Sequence, residues 1–112
     1  MIPFQITDWQ NIPKQEHKGE TGLAYWQSLQ FDTIRIRMVE YSPNYLADHW
    51  CDKGHIIYCI AGEMTTTLKD GCTHILKAGM SYKTTDDKVN PHSSFSLKGC
   101  KLFIVDGAFL SV

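Results

Sequence analysis

The chain has 112 residues, 43% of them hydrophobic and 21% charged, and its formal net charge is −1 at pH 7. This balance favours one globular domain with its own core, and the scattered, nearly neutral charge argues against nucleic acid or an acidic membrane surface as a partner. The longest apolar run, residues 56–61, is too short to cross a bilayer, and the N-terminus lacks the pattern of a secretory signal, so we expect a cytoplasmic protein whose four cysteines stay reduced.

Residues 1–24 are predicted to form an irregular N-terminal arm. Two prolines and two glycines interrupt any sustained period in this segment: Pro3, Pro13, Gly19 and Gly22. We expect the arm to lie across the domain and bury Phe4, Ile6 and Trp9 there. Apolar side chains in such an arm also suit a contact between the subunits of a homodimer.

Residues 25–112 are predicted to form a single β domain. Short runs rich in β-branched and aromatic residues recur between turn signals, and they predict strands over residues 24–30, 33–40, 55–61, 64–68, 73–76, 80–84, 93–97 and 101–105. Gly62-Glu63 predicts a tight turn that pairs residues 64–68 back onto residues 55–61 as a hairpin. Cys59 and Cys100 alternate within apolar strands and are expected in the core. The fold class is therefore all-β, as an antiparallel sandwich or barrel.

The stretch from Asp48 to His55 carries three possible metal ligands in seven residues: His49, Cys51 and His55. Side chains at even spacing on an extended chain point to the same face, so the three converge if the turn at Lys53-Gly54 keeps that phase. Asp48 either orients a ligand imidazole or caps a turn. The pattern predicts a metal site at the start of a rigid strand.

This stretch resembles the first motif of the small single-domain cupins, a jelly-roll family in which a His-x-His pair precedes an acidic ligand, a strand and a Gly turn. His49 fits the first histidine, Cys51 the second, and His55 the acidic position seven residues before Gly62. A weaker second motif, Gly79 followed by Pro91-His92, implies that His92 is the fourth ligand. The sequence motif Asp48-His49-Trp50-Cys51 is also similar to that of an uncharacterised bacterial cupin subfamily called DHCW. The resemblance to cupins covers about residues 31–106.

The implied ligand set differs from the family pattern because one thiolate and three imidazoles replace the usual set and no carboxylate is present. Sulfur and nitrogen donors favour zinc, iron(II), nickel or copper over magnesium or manganese. Four ligands would close a structural zinc site, whereas iron or nickel would keep positions open for a substrate.

Five further residues are candidates for a ligand pocket. Ser94 and Ser96 share the strand phase of His92 and are expected to line a polar interior. Arg35, Arg37 and Tyr82 are candidates for holding an anionic group, although two arginines on one strand face are also typical of a solvated surface.

Two main hypotheses for function follow. The chain is either a metal-dependent cupin enzyme, such as an isomerase, lyase or dioxygenase acting on a sugar or carboxylic acid, or a non-catalytic module that binds a small ligand or a structural metal. A third hypothesis is a redox sensor in which oxidation releases Cys51 from the metal.

Overall fold

A computed structural model describes residues 2–111, and antiparallel strands dominate it. The nine strands are β1 (Gln15–Lys18), β2 (Leu23–Phe31), β3 (Ile34–Tyr41), β4 (Tyr45–Leu46), β5 (His55–Leu68), β6 (Thr73–Lys77), β7 (Ser81–Thr84), β8 (His92–Ser96) and β9 (Cys100–Gly107). Short 3-10 turns cover Trp9–Asn11 and Ala108–Leu110. The predicted all-β, antiparallel architecture is confirmed, and within residues 2–111 no helix has the length and apolar character needed to cross a membrane.

All nine strands belong to one curled sheet system. Neighbouring strands follow the order β1-β2-β3-β9-β5-β8-β4, and β6 and β7 both pair with β5 as well. The first half of β5 pairs with β7 and β9, and its second half pairs with β6 and β8. Strand β5 thus belongs to both faces of the barrel, and the interior lies between these two faces.

The predicted hairpin at Gly62-Glu63 is wrong, because β5 continues through it as one strand of 14 residues. The register of β5 against β9 shifts between Cys59 and Ala61, and Gly62 has a φ of 72°, so the chain turns a corner there. A Cβ atom at Gly62 would lie 2.3 Å from the carbonyl oxygen of Gly99, which leaves no room for a side chain. The glycine therefore marks a bend between two sheet faces, a role that bulges and glycines commonly play in barrels.

The core lies between the two faces. Its buried members come from β3, β5, β6 and β9: Val39, Ile57, Cys59, Met64, Leu76, Cys100, Leu102 and Ile104. The predicted burial of Cys59 and Cys100 is confirmed, and all four cysteines of the chain are free.

Strand β3 turns its charged side inward. Arg37 is only 4% exposed and Val39 only 1%, whereas Ile36 and Met38 on the opposite face are half-buried. The alternative of a solvated arginine face is therefore wrong for Arg37. A buried guanidinium needs a partner charge, and that requirement leads to the site described below.

The N-terminal segment is more regular and less buried than the sequence predicts. Strand β1 pairs with β2, so the irregular arm expected over residues 1–24 contains a strand over Gln15–Lys18. Trp9 packs edge-on against Phe103 with ring centroids 6.5 Å apart, but Phe4 and Ile6 are 95% and 89% exposed, so their predicted burial on the domain is wrong. In the segment before Trp9, the side chains of Phe4 and Ile6 therefore face solvent and not the sheet.

Candidate metal centre

Cys51, His55 and His92 meet at one end of the barrel interior. The backbones of Cys51 and His92 exchange two hydrogen bonds, with N–O distances of 2.7 and 2.9 Å. His55 opens β5, and His92 opens β8 opposite Leu68, the last residue of β5. Because β5 bends at Gly62, its two ends approach each other, and the rings of His55 and His92 have centroids only 5.2 Å apart.

The loop between Cys51 and His55 is held by close packing at Gly54. A Cβ atom at Gly54 would lie 2.3 Å from the carbonyl oxygen of Thr84, so a larger residue would not fit there. The Gly54 amide also donates to Asp86 Oδ1 at 2.6 Å. These contacts fix the short path that brings the Cys51 sulfur next to the His55 ring.

The three side chains have the spacing of metal ligands. Their donor atoms all lie within 4.8 Å of one another, and Cys51 Sγ is 3.6 Å from His55 Nε2. A tetrahedral zinc site with the usual zinc–sulfur and zinc–nitrogen bonds has its sulfur about 3.6 Å from its nitrogen. Both histidines are buried and Cys51 is half-buried, so the donors are partly shielded from water.

The electrostatics of the cluster favour an ionised thiol. Burial alone would raise the pKa of Cys51, but hydrogen bonds with His55 and His92 outweigh burial and lower this pKa to about 5. A thiolate is the form of cysteine that binds metals and attacks electrophiles. Cys51 is therefore ready for coordination at neutral pH without a large proton cost.

Asp106 on β9 orients the cluster from behind. Its Oδ2 accepts a hydrogen bond from His55 Nδ1 at 3.0 Å, which leaves Nε2 of the ring directed at Cys51. Burial would raise the pKa of Asp106, but hydrogen bonds from His55 and Arg35 and the charges of Arg37 and Arg35 hold it well below its usual range. Although burial lowers the pKa of His55, the bonds to Asp106 and Cys51 raise it overall. A carboxylate behind a ligand histidine is the usual device for fixing its tautomer and orientation.

Both predicted arginines are committed to this carboxylate. Arg35 Nε donates to Asp106 Oδ1 at 3.0 Å, and Nη2 of Arg35 and Nη2 of Arg37 donate to Asp106 Oδ2 at 3.0 and 2.9 Å. Arg37 also stacks over the Trp26 ring, 4.4 Å from its centroid. The structure therefore gives Arg35 and Arg37 a role in holding Asp106, and their contact with an anionic ligand stays a prediction.

His49 does not join the cluster among the residues that the structure describes. Its side chain is 70% exposed, and its Nδ1 lies 2.6 Å from Oδ1 of the exposed Asp48. Evenly spaced side chains share a face only on an extended chain, but the backbone bends at Asp48 and His49. Asp48 therefore orients an outlying histidine, and Asp106 orients His55 instead.

A cavity of about 450 Å³ lies against the cluster. His92, Tyr82 and Thr66 line it, and the Tyr82 ring lies 6.3 Å from the His92 ring. Ser94 and Ser96 do not line it: Ser96 is 1% exposed and donates to the carbonyl oxygen of Glu63 at 2.7 Å, and Ser94 is half-buried. Of the five predicted pocket residues, the cavity contains Tyr82.

Asp106 is the important residue that the sequence analysis missed. The predicted strand over residues 101–105 ended one position too early to include it. Leu102 and Ile104 point into the core, and Asp106 continues their period of two. An aspartate in a buried strand phase requires a charged partner, and this was the available signal.

The residues present fit a divalent transition metal. One thiolate and two imidazoles suit zinc, iron(II), nickel or copper, and magnesium and manganese prefer oxygen donors. Three protein ligands also match catalytic zinc sites, in which the fourth position remains open to water or substrate.

Comparisons with known proteins identify the fold. No protein-family model matches the sequence, and no curated protein sequence matches it. A solved structure described as a predicted oxalate decarboxylase from Thermotoga maritima is similar with a TM-score of 0.76 at 16% identity, over 92% of this chain and 98% of that one. An RmlC-like cupin from Shewanella frigidimarina is similar with a TM-score of 0.72 at 16% identity, over 94% and 91% of the two chains.

A third structure, a sugar phosphate isomerase of the cupin superfamily from Silicibacter pomeroyi, has a TM-score of 0.74 at 12% identity, over 92% of this chain and 75% of that one. Structural similarity at such low sequence identity establishes the fold of the chain but not its activity. The DHCW resemblance stays a prediction, since none of these comparisons tests it. The chain has the fold of the cupin jelly-roll proteins.

Proposed function

We propose that this chain is a small metal-binding cupin in which Cys51, His55 and His92 hold one divalent transition metal and present it to a small polar metabolite. The observation that carries the proposal is the convergence of one sulfur and two imidazole nitrogens within 4.8 Å, beside a cavity that reaches His92. Zinc, iron and nickel are the leading candidates for the metal.

In the enzyme form of the proposal, the substrate is a sugar or carboxylic acid. The bound metal supplies Lewis-acid chemistry toward an oxygen of the substrate. The chain's own residues hold the metal in place, fix the His55 ring through Asp106, and keep part of the site away from bulk water. The similar proteins described as an isomerase and a predicted decarboxylase support a reaction on a small metabolite by analogy of fold.

A non-catalytic ligand-binding protein is the second candidate. It is favoured by the hydrogen bonding of Asp87, a carboxylate that lines the cavity and could otherwise act as a general base. Its Oδ1 instead accepts backbone hydrogen bonds from Val89 and Asn90 at 3.0 Å each. Asp87 is thereby committed to holding a turn. Metal binding and ligand binding without turnover would favour this candidate over the enzyme.

The test of the proposal is metal content, measured by mass spectrometry on protein without a histidine tag. We expect about one equivalent of zinc, iron or nickel, and less than a tenth of that in Cys51→Ala and His92→Ala. His74→Ala is the matched control, because His74 is exposed and lies outside the cluster. A native protein that takes up no metal on incubation with each ion would refute the proposal.

We also propose that the protein is a homodimer, as its N-terminal arm suggests. Phe4 and Ile6 are almost fully exposed, and Ile56, Tyr58 and Ile60 on β5 are 39–47% exposed. Exposed apolar groups of this kind are typical of interfaces. Light scattering after gel filtration should give twice the chain mass of 12.8 kDa, and Phe4→Asp with Ile6→Asp should halve that value. A native monomer would contradict the proposal.

A further inference from the structure

An apolar wall begins beside the proposed metal ligands and continues into the cavity. The cavity reaches the cluster through His92. Leu68 on β5 is directly opposite His92 on β8, and side chains paired in this way have Cβ atoms about 4.5–5.5 Å apart. Leu76, which is opposite Met64 four residues back along β5, and Met80 extend the wall by about 13 Å. A molecule bound at His92 would therefore lie along apolar side chains.

The polar groups in the rest of the wall are largely bonded to one another. The hydroxyls of Tyr82 and Thr66 lie within hydrogen-bonding reach of each other. Asn90 accepts a hydrogen bond from the Asp70 amide and donates one to the Asp70 carboxylate, and Asp87 holds the turn described above. These groups therefore do not require a second polar anchor on the ligand.

Positive charge is concentrated at the metal end of the cavity. A divalent ion bound by the Cys51 thiolate leaves one positive charge there. Behind His55, the guanidinium groups of Arg35 and Arg37 exceed the single carboxylate of Asp106 by one more. Within residues 2–111, the charged side chains that line the cavity itself cancel, being two aspartates and two lysines: Asp52, Asp87, Lys53 and Lys83. An anionic group is thus stabilised at the metal end, whereas further along it would lose its hydration against the apolar wall.

From this distribution of charge and apolar surface we infer that the ligand is a small acid with its carboxylate at one end and an apolar body at the other. Leu68 and Met80 are then specificity-determining residues that contact the body. The inference rests on the proposed function, because the bound metal contributes part of the positive charge. It narrows the ligand class to apolar monocarboxylates, in preference to sugars, sugar phosphates and dicarboxylates.

The test compares four small probes: glycolate, 2-hydroxyhexanoate, 2-hydroxyadipate and hexane-1,2-diol. Glycolate has the hydroxy-acid head without the tail, 2-hydroxyadipate carries a second carboxylate at the far end of the same chain, and the diol has the tail without any charge. Dissociation constants are measured by NMR titration of the zinc-loaded and the metal-free protein, and the zinc content of each sample is determined separately.

We expect 2-hydroxyhexanoate to bind the zinc-loaded protein about tenfold more tightly than each of the other three probes, or better. Burial of one methylene group is worth about a fourfold change in affinity, so partial burial of the four-carbon tail is sufficient for this difference. The preference for 2-hydroxyhexanoate over the diol should fall about threefold or more in the metal-free protein, where one source of positive charge is missing.

Two variants test the ends of the wall. Met80 is 46% exposed, so the fold should tolerate Met80→Lys, whose added charge should improve binding of 2-hydroxyadipate relative to 2-hydroxyhexanoate about tenfold. Leu97→Lys is the matched control, because Leu97 is 56% exposed and lies outside the cavity, and it should leave this ratio unchanged. Leu68→Asn keeps the size of the side chain and should weaken binding of 2-hydroxyhexanoate about three- to tenfold without affecting glycolate.

Several results would overturn the inference and leave the metal centre intact: equal binding of glycolate and 2-hydroxyhexanoate, tighter binding of 2-hydroxyadipate or the diol, or an unchanged ratio in Met80→Lys. A protein that takes up no zinc would overturn the proposed function, and this inference with it. The zinc determination distinguishes these two failures.

Discussion

The charge of Asp106 should be required both for the fold of the barrel end and for metal affinity. Asp106→Asn keeps the size of the side chain but removes the charge that faces Arg37, Arg35 and His55. The Arg37 side chain is 5% exposed, and removing one partner of a buried ion pair costs about 3–5 kcal/mol. The Arg35 side chain is 36% exposed, so its share is less than about 1 kcal/mol.

We therefore expect the free energy of unfolding of the metal-free protein to fall by about 3 kcal/mol in Asp106→Asn, the lower end of the range, because Arg37 keeps its contact with Trp26. Zinc affinity should fall about 10- to 100-fold, since the His55 ring loses its charged partner. Urea denaturation measures the first quantity, and competition with a chromophoric chelator measures the second.

Asp48→Asn is the matched control, because Asp48 also bonds a histidine ring but is exposed and lies outside the cluster. It should leave the free energy of unfolding unchanged within experimental error, because surface substitutions of this kind rarely affect stability. The double variant Arg37→Met with Asp106→Asn should be more stable than Asp106→Asn alone, because it no longer buries an uncompensated charge. If Asp106→Asn matched the native protein in stability and zinc affinity, the proposed role of this carboxylate would be refuted.

The pH dependence has a definite sign. The pKa of Asp106 is depressed in the folded protein, so its contribution to stability is present above the unfolded-state pKa of about 3.9. That contribution is lost as the pH falls below about 4. The native protein should therefore lose more stability between pH 5 and pH 2 than Asp106→Asn does, and parallel curves would contradict this explanation.

Three further predictions concern the corner, the thiol and the outlying histidine. Gly62→Ala should destabilise the fold by more than about 2 kcal/mol in urea denaturation, because the new side chain would combine a positive φ with a clash. Gly71→Ala is the control: Gly71 also has a positive φ but open space around it, so this variant should cost about 1–2 kcal/mol. Equal losses in the two variants would contradict the clash at Gly62. Iodoacetamide at pH 6 should label Cys51 before Cys72 in the metal-free protein, since the pKa of Cys51 is about 5 and the Asp70 carboxylate raises the pKa of Cys72. Peptide mass spectrometry measures the order of labelling, and the reverse order would refute the assignment of Cys51 as the ionised thiol. His49→Ala should keep the full metal content, and a loss would show that His49 is a ligand after all.

Much of the fold could be predicted from local sequence patterns. Turn residues and β-branched runs located seven of the nine strands to within about two residues, and they missed the short strands β1 and β4. The resemblance to cupins supplied the topology, which periodicity alone left as a sandwich or a barrel. The corner at Gly62 was missed because a glycine between two β-rich runs predicts a hairpin turn and a bend equally well. Pairing with β6 and β8 decides between them, and these contacts are far apart in sequence.

The site was harder to predict because its geometry depends on non-local contacts. Cys51 and His55 were found from their spacing, and His92 only through the resemblance, since it lies 37 positions after His55 in the sequence. His49 was included because the chain was assumed to be extended where it bends. Asp106 was missed because its meaning comes from two arginines and a histidine that the barrel brings together.

The measurement that tests the central claim most directly is X-ray absorption spectroscopy of the zinc-loaded protein. The proposed centre predicts one sulfur at about 2.3 Å and two imidazole nitrogens at about 2.0–2.1 Å, with the remaining position filled by a light atom from water. In His49→Ala the spectrum should not change, and in Cys51→Ala the sulfur signal should disappear. A native spectrum without sulfur, or with three imidazoles, would contradict a metal centre built from Cys51, His55 and His92.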